Sequence, residues 1–205
     1  MNETVTLDTA VAASADARSV VVRKALLSDV KPLLALINDY ASQGIMLPRT
    51  EFELAENIRD FSVAVWGGEL VGCGALHFYG LRTGEIRSLA VHAERKNLGI
   101  GRDLMESLEA EALTHGLVSV FAFTYIPDFF ARLGYLEVDR RQLPAKVWKD
   151  CLRCPKLQCC DEIAMQKRLA PQEPAALPCG EDAGGEPGAN GVFIVPAVGR
   201  PKRPA

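Results

Sequence analysis

The chain has 205 residues, with 26 acidic against 23 Lys/Arg (net −3) and 48 % apolar side chains, the composition of a globular domain long enough for one core. No Lys/Arg block supplies the footprint of non-specific nucleic-acid binding, and no apolar run approaches the ~18 residues of a spanning helix. Neither nucleic acid nor membrane is an expected partner. The N-terminus lacks a basic start followed by an apolar stretch, so a cytoplasmic location without a targeting segment is expected.

Residues 1–18 are small and polar without periodicity and are expected to be disordered. Val20-Val21-Val22-Arg23 is a β-branched run that predicts a strand. Ser28-Asp29 then caps apolar positions Val30, Leu33, Leu34 and Ile37 at helical spacing, and Gly44 stops that helix. Leu47-Pro48-Arg49-Thr50 makes a loop, and Thr50 with Glu53 forms a capping box for a second helix reaching about Asp60. Phe61 to Trp66 alternates, meets Gly67-Gly68 and is answered by Leu70 to His77, which predicts a hairpin. Glu85 to His92 is a fourth strand, followed by a glycine loop and a helix from about Arg102 to Thr114. Val118 to Thr124 is a fifth strand. Pro127 starts a helix that carries Phe129, Phe130 and Leu133 and ends at Gly134. Tyr135 to Val138 and Glu162 to Arg168 supply the last two strands. Strands and helices in this order predict an α/β fold with one sheet and helices on its faces. Between Ala170 and Ala205 lie 7 of the 12 Pro and 6 of the 17 Gly, so residues 170–205 are expected to be a disordered tail. Only the apolar island Val192-Phe193-Ile194-Val195 interrupts it.

Four of the six Cys crowd into Cys151, Cys154, Cys159 and Cys160. With nothing marking secretion, free thiols or a metal fit better than disulfides. Zinc sites usually separate two C-x2-C knuckles by a longer loop, whereas Cys159 and Cys160 are adjacent. His77, His92 and His115 fall on different elements, so no His/Cys constellation emerges and no metal is expected. No G-x-S-x-G elbow marks a serine nucleophile.

Lys96-Asn97-Leu98-Gly99-Ile100-Gly101-Arg102 joins the fourth strand to a helix. In that setting glycine lets the backbone approach a ligand, and the N–H groups at the helix start offer an anion site suited to a pyrophosphate. A plain tight turn is the alternative. The absence of GK[ST] disfavours a kinase or ATPase. The missing first glycine of G-x-G-x-x-G, and the position after a fourth strand, disfavour a nicotinamide enzyme.

The strand Ile86-Arg87-Ser88-Leu89-Ala90-Val91, this loop, and Phe129-Phe130-Ala131-Arg132-Leu133-Gly134-Tyr135 together resemble the GNAT superfamily of acetyl-CoA-dependent N-acyltransferases over residues 19–169. The resemblance implies the GNAT fold: a single mixed, twisted sheet with helices on both faces. It also implies that the amides of Lys96, Asn97, Leu98, Gly99, Ile100, Gly101 and Arg102 hold the CoA pyrophosphate, while the strand at Leu89, Ala90 and Val91 bonds the pantetheine arm as an added strand would. Lys96 stands where Gln or Arg is usual, and a lysine still meets a phosphate as a point charge. Phe130 replaces the tyrosine that protonates the leaving thiolate in many members. A thiol of pKa ~8.5 leaves without much help, and Tyr125 is not expected to take over that role.

Leu47-Pro48-Arg49-Thr50, Glu85-Ile86-Arg87 and the segment Leu143 to Cys151 look like the short, stand-alone bacterial N-acetylglutamate synthases. This resemblance implies acetylation of the α-amine of L-glutamate, feeding arginine biosynthesis. Glu85 and Arg87 share a strand face by the period of two, which suits an amino acid's ammonium and carboxylate. Glu85 is the expected general base, acting through a water, because a carboxylate of pKa ~4.3 is a weak base for an ammonium. Arg49 is the expected bidentate grip on a substrate carboxylate, with Lys146 as a second cation. A surface ion pair for Glu85 and Arg87, and a solvated charge for Arg49, are the plainer alternatives. A GNAT enzyme with another amine acceptor, or a catalytically silent acyl-CoA-binding regulator, would keep the glycine loop. Convergence of Arg49 and Arg87 on one pocket separates these readings. A homodimer is compatible with all of them.

Overall fold

A computed structural model describes residues 20–143, 152 and 154–169. Seven strands form one mixed sheet: β1 (Val20–Lys24), β2 (Phe61–Trp66), β3 (Glu69–Phe78), β4 (Thr83–Val91), β5 (Ser119–Thr124), β6 (Leu136–Glu137) and β7 (Ile163–Arg168). Their order across the sheet is β1-β2-β3-β4-β5-β7-β6. All neighbours are antiparallel except β4 and β5.

Four helices cover the sheet: α1 (Val30–Ser42), α2 (Glu51–Glu56), α3 (Ile100–Thr114) and α4 (Pro127–Arg132). Helical spacing places Val30, Leu33, Leu36, Ile37 and Tyr40 on one side of α1, and there they bury against Leu54 of α2 and against Val63, Cys73, Ala75 and Ala90 of the sheet. On the opposite face, Met105, Leu108 and Ala112 of α3 pack on Leu76, Ile86, Val120 and Ala122, and Phe130 of α4 joins them. Ile100 and Leu104 of α3 cover Ala64 and Val71. The close approach of α3 depends on Gly74: a Cβ there would sit 2.9 Å from Leu108 and 3.2 Å from Leu89.

Several boundaries differ from the sequence expectation. The capping box of Thr50 and Glu53 is present, but α2 ends at Glu56 rather than Asp60. Asn57 turns its side-chain amide onto Glu53 O at 2.8 Å, and the backbone tightens into a 3₁₀ turn over Ile58–Asp60. At the start of α1, Asp29 makes no side-chain cap; its carboxylate accepts from Leu26 N–H at 2.7 Å and from Arg23. Helix α3 begins two residues earlier than expected, at Ile100, because Gly99 takes the left-handed conformation (φ +88°) immediately before it. Both expected disordered ends, and Lys146 and Cys151 with the flanking segment, lie outside the described residues.

Strand β4 is irregular on both of its edges. It pairs with β5 only where Thr83, Gly84 and Glu85 face Ser119, Val120 and Phe121, so beyond Glu85 the parallel strands diverge. Against β3 it carries a bulge: Cys73 faces Ala90 and Ala75 faces Arg87, leaving Ser88 and Leu89 opposite Gly74 alone. Ser88 sits at φ +53°, a backbone position uncommon for a residue other than glycine. The extra residue inverts the inward–outward alternation: Glu85 and Arg87 face α1 and α2, whereas Leu89 and Val91 pack on the α3 side.

Candidate active site

The glycine loop follows a 3₁₀ turn over Ala93–Arg95 and passes through Asn97 (φ +63°) and Gly99. Gly99 O accepts from Arg102 N–H at 2.8 Å and Asp103 N–H at 3.1 Å, so the amides of Ile100 and Gly101 precede the first bond of α3 and point out of its N-terminus. No heavy atom lies within 4 Å of where a Gly99 Cβ would be, leaving the loop open on that side. Gly101 backs onto Phe129, whose ring is 3.4 Å from the position of a Cβ. Lys96 and Arg102 are exposed beside the loop, with Lys96 Nζ 5.1 Å from the Tyr40 ring centroid. This arrangement suits a polyanion: oriented donors, a helix start and nearby cations.

The adjoining edge of β4 completes the cradle. His92 N–H bonds Val71 O at 2.8 Å, so by alternation the backbone groups of Ala90 turn toward β3, while those of Leu89 and Val91 turn toward β5. Because β5 has diverged at that point, an extended chain could lie along β4 there. The Tyr40 hydroxyl donates to Val91 O at 2.6 Å, tying the last turn of α1 to the end of the strand.

On the other side of the bulge, Arg49 and Arg87 converge. Together with Glu53, Leu54, Asn57 and Phe61 they line one small, open cleft. Arg49 is set there by Asn38 of α1, whose side chain donates to Arg49 O and accepts from Arg49 N–H, both at 2.9 Å. Arg87 is only 15 % exposed, and its Nη2 lies 3.8 Å from Asp60 Oδ2. That carboxylate also holds His77 Nδ1 at 2.7 Å. Glu85, two residues from Arg87 on the same face, is 9 % exposed. Two guanidinium groups on one cleft, with a sheltered carboxylate on the same strand face, are the residue types that recognise a carboxylate and hold a proton.

Asn38, Asp60, His77 and Tyr40 are the site residues that sequence reasoning missed. His77 shares a face of β3 with Cys73 and Ala75, the face covered by α1 and α2, yet its partner Asp60 is recognisable only once β2 and β3 are paired. Tyr125, expected to have no part, bonds Asp161 at 2.9 Å and receives a bond from Lys156 at 3.1 Å. Cys73, Cys154, Cys159 and Cys160 are free thiols, and among the described residues no group of His, Cys, Asp and Glu could hold a metal ion. No described helix is long and apolar enough to cross a membrane.

Residues 33–135, about half of the chain, match the acetyltransferase (GNAT) family. An uncharacterized N-acetyltransferase of Chlorobaculum tepidum is 46 % identical over 148 residues, covering 72 % of this chain and 96 % of the relative. The amino-acid acetyltransferase of Mycobacterium tuberculosis is 36 % identical over 136 residues, covering 65 % of this chain and 78 % of that enzyme. Among solved structures, N-acetylglutamate synthase from Neisseria gonorrhoeae, complexed with coenzyme A and N-acetyl-glutamate, superposes with a TM-score of 0.68 at 30 % identity. That match covers 74 % of this chain but only 35 % of the gonococcal enzyme. A Mycobacterium tuberculosis protein complexed with CoA gives 0.65 at 31 % identity, covering 73 % of this chain and 99 % of the other. With the glycine loop at the start of α3, the diverging β4 and β5 and the bulge between β3 and β4 already in place, these matches lead to one conclusion: the chain belongs to the GNAT family of acetyltransferases.

Proposed function

We propose that this protein transfers the acetyl group of acetyl-CoA to the α-amine of an amino acid, and that the amino acid is L-glutamate, so that it makes N-acetylglutamate for arginine biosynthesis. The observation that carries this reading is the convergence of Arg49 and Arg87 on one cleft, with Glu85 two residues from Arg87 on the same strand face. A dicarboxylic amino acid offers two anions to a cleft that presents two guanidinium groups, the planar forks that recognise carboxylates bidentately. The names of the mycobacterial and gonococcal relatives agree with it.

In this reading residues 19–169 form the catalytic domain, working in the cytoplasm where acetyl-CoA is made. The amides from Lys96 to Arg102 receive the pyrophosphate, with Lys96 as the flanking cation, and Leu89 and Val91 bond the pantetheine arm. When bound, acetyl-CoA supplies an activated acyl carbon whose leaving group is a stable thiolate. Arg49 and Arg87 orient the acceptor so that its nitrogen faces that carbon, which converts a bimolecular encounter into a positioned one. Glu85 takes up the proton that the ammonium must lose before it can attack. The test is a panel of amino acids assayed by CoA release with the full chain. L-glutamate is expected to give the highest kcat/KM, and acetylation of amines without a side-chain carboxylate at equal efficiency would overturn the assignment.

A further inference from the structure

Across the acceptor face of the sheet runs a row of three titratable side chains, one per strand: Asp60 at the entrance to β2, His77 on β3 and Glu85 on β4. Asp60 Oδ2 is 2.7 Å from His77 Nδ1. His77 and Glu85 are direct cross-strand partners, a relation that sets Cβ atoms about 5 Å apart. Glu85 is buried, whereas the side chains of His77 and Asp60 reach solvent. The remaining groups around the imidazole are the Tyr79 ring, edge-on at 5.2 Å, and Arg87, which shares the Asp60 carboxylate.

An ionised carboxylate can only accept, so Nδ1 carries the hydrogen of its bond to Asp60, and a neutral His77 keeps its lone pair on Nε2. Imidazoles ordinarily hold a proton at pKa ~6.5 and carboxylates at ~4.3, which makes an imidazole the better resting place for a proton taken from an ammonium. A sheltered carboxylate that must reload at every turnover also needs a way out for that proton.

We propose that His77, in the tautomer set by Asp60, is the proton relay of this site, drawing the acceptor's proton through Glu85 and releasing it to solvent. The inference rests on the amine-acetylating function proposed above. One ammonium proton passes by way of Glu85 to Nε2, leaving a neutral amine and an imidazolium. The amine lone pair forms the C–N bond, the C–S bond breaks with its electron pair on sulfur, and the second nitrogen proton ends on the thiolate. His77 then returns its proton to water, so one proton is released per turnover. Acting through Glu85, His77 and Asp60 are positioning residues.

Two measurements on the full chain test this. In pH profiles of CoA release with glutamate, His77→Gln is expected to lower kcat at pH 7 by about tenfold or more and to erase the acid-side limb. Its KM for acetyl-CoA should remain that of the wild type. Asp60→Asn, which leaves the imidazole but frees its tautomer, should keep the limb and move its midpoint. A His77→Gln enzyme with the wild-type profile would overturn the relay. Independently of any acceptor, imidazole ¹⁵N shifts should report the Nδ1–H tautomer in the wild type and a displaced His77 titration in Glu85→Gln. An unchanged titration would overturn it as well. If no amino acid is acetylated, the proposed acceptor class falls, and the imidazole titration alone decides the relay.

Discussion

Asn38 offers a clean way to ask whether Arg49 is positioned or merely present. Its carboxamide holds both the N–H and the C=O of Arg49, each at 2.9 Å, and so fixes the loop between α1 and α2 at the residue that lines the cleft. Asn38→Ala removes both bonds in the interior of α1, where alanine is the better helix former. At about 1 kcal/mol per hydrogen bond the clamp is worth about 2 kcal/mol. With 1.4 kcal/mol per factor of ten, the conformation that presents Arg49 loses about thirtyfold in weight. We expect KM for the amino-acid acceptor to rise about 10- to 30-fold while KM for acetyl-CoA stays within about twofold, because the glycine loop lies beyond the bulge. The rate at saturating acceptor should fall less than kcat/KM, the pattern of lost uniform binding. Asn38→Asp keeps an acceptor for Arg49 N–H but sets a carboxylate oxygen against Arg49 O, so it should be no better than alanine. Arg49→Ala sets the ceiling, since truncating one partner of a desolvated charge pair costs about 2–5 kcal/mol. Steady-state assays of CoA release read all three, with circular dichroism as the folding control. An unchanged acceptor KM in Asn38→Ala, or an equal rise in both KM values, would refute the argument.

Glu85→Gln should lower kcat by the ~10²–10⁴ typical of a lost general base and leave acetyl-CoA affinity unchanged; retention of full activity would remove Glu85 from the mechanism. Gly99→Val forces a β-branched residue into φ +88° and should weaken acetyl-CoA binding, read by calorimetry, by about tenfold, the ~1–2 kcal/mol of a left-handed residue. Unchanged affinity there would mean that the loop is a turn and not a cradle. Asp29 accepts from Arg23 at 2.6 and 3.0 Å, and that guanidinium holds its carboxyl below the usual range. A depressed folded-state value gives stability that is present above the unfolded ~3.9 and lost as pH falls through the folded one. Urea melts from neutral to acid pH should therefore show Asp29→Asn less stable than wild type at pH 7, with the gap closing below about pH 4.

Much of the fold was legible because its signals are local. The alternating strands, the capping box of Thr50 and Glu53, and the glycines that end α1 and α4 each record a backbone requirement in a residue type. The glycine loop was legible for the same reason, although the sequence counted Gly101 as loop where it is already helix. Arg49, Glu85 and Arg87 were singled out through family resemblance and the period of two; Arg49 and Arg87 line one cleft, and Glu85 shares the strand face of Arg87. Asp60 and His77 were not legible: their contact depends on how β2 and β3 register, and α2 was expected to run through Asp60 instead of stopping at Asn57. The bulge was hidden too, because the residue that bends there is Ser88, with no glycine or asparagine to mark a positive φ.

That bulge divides β4 into two segments with separate duties and opposite facing. Before Ser88 the strand turns Glu85 and Arg87 to the face of α1 and α2, where we propose the acceptor binds, and after it the strand turns Leu89 and Val91 toward α3 and, in the same proposal, serves the donor. Substitutions on one segment can therefore retune which amine is accepted without touching how the acyl carrier is held, so acceptor choice is free to drift within a constant donor frame. Insertions and deletions are under the opposite constraint. Removing one residue at Ser88 or Leu89 would restore the regular alternation and turn either Glu85 and Arg87 or Leu89 and Val91 to the wrong side of the sheet. The strand thus tolerates changes of letter far better than changes of length.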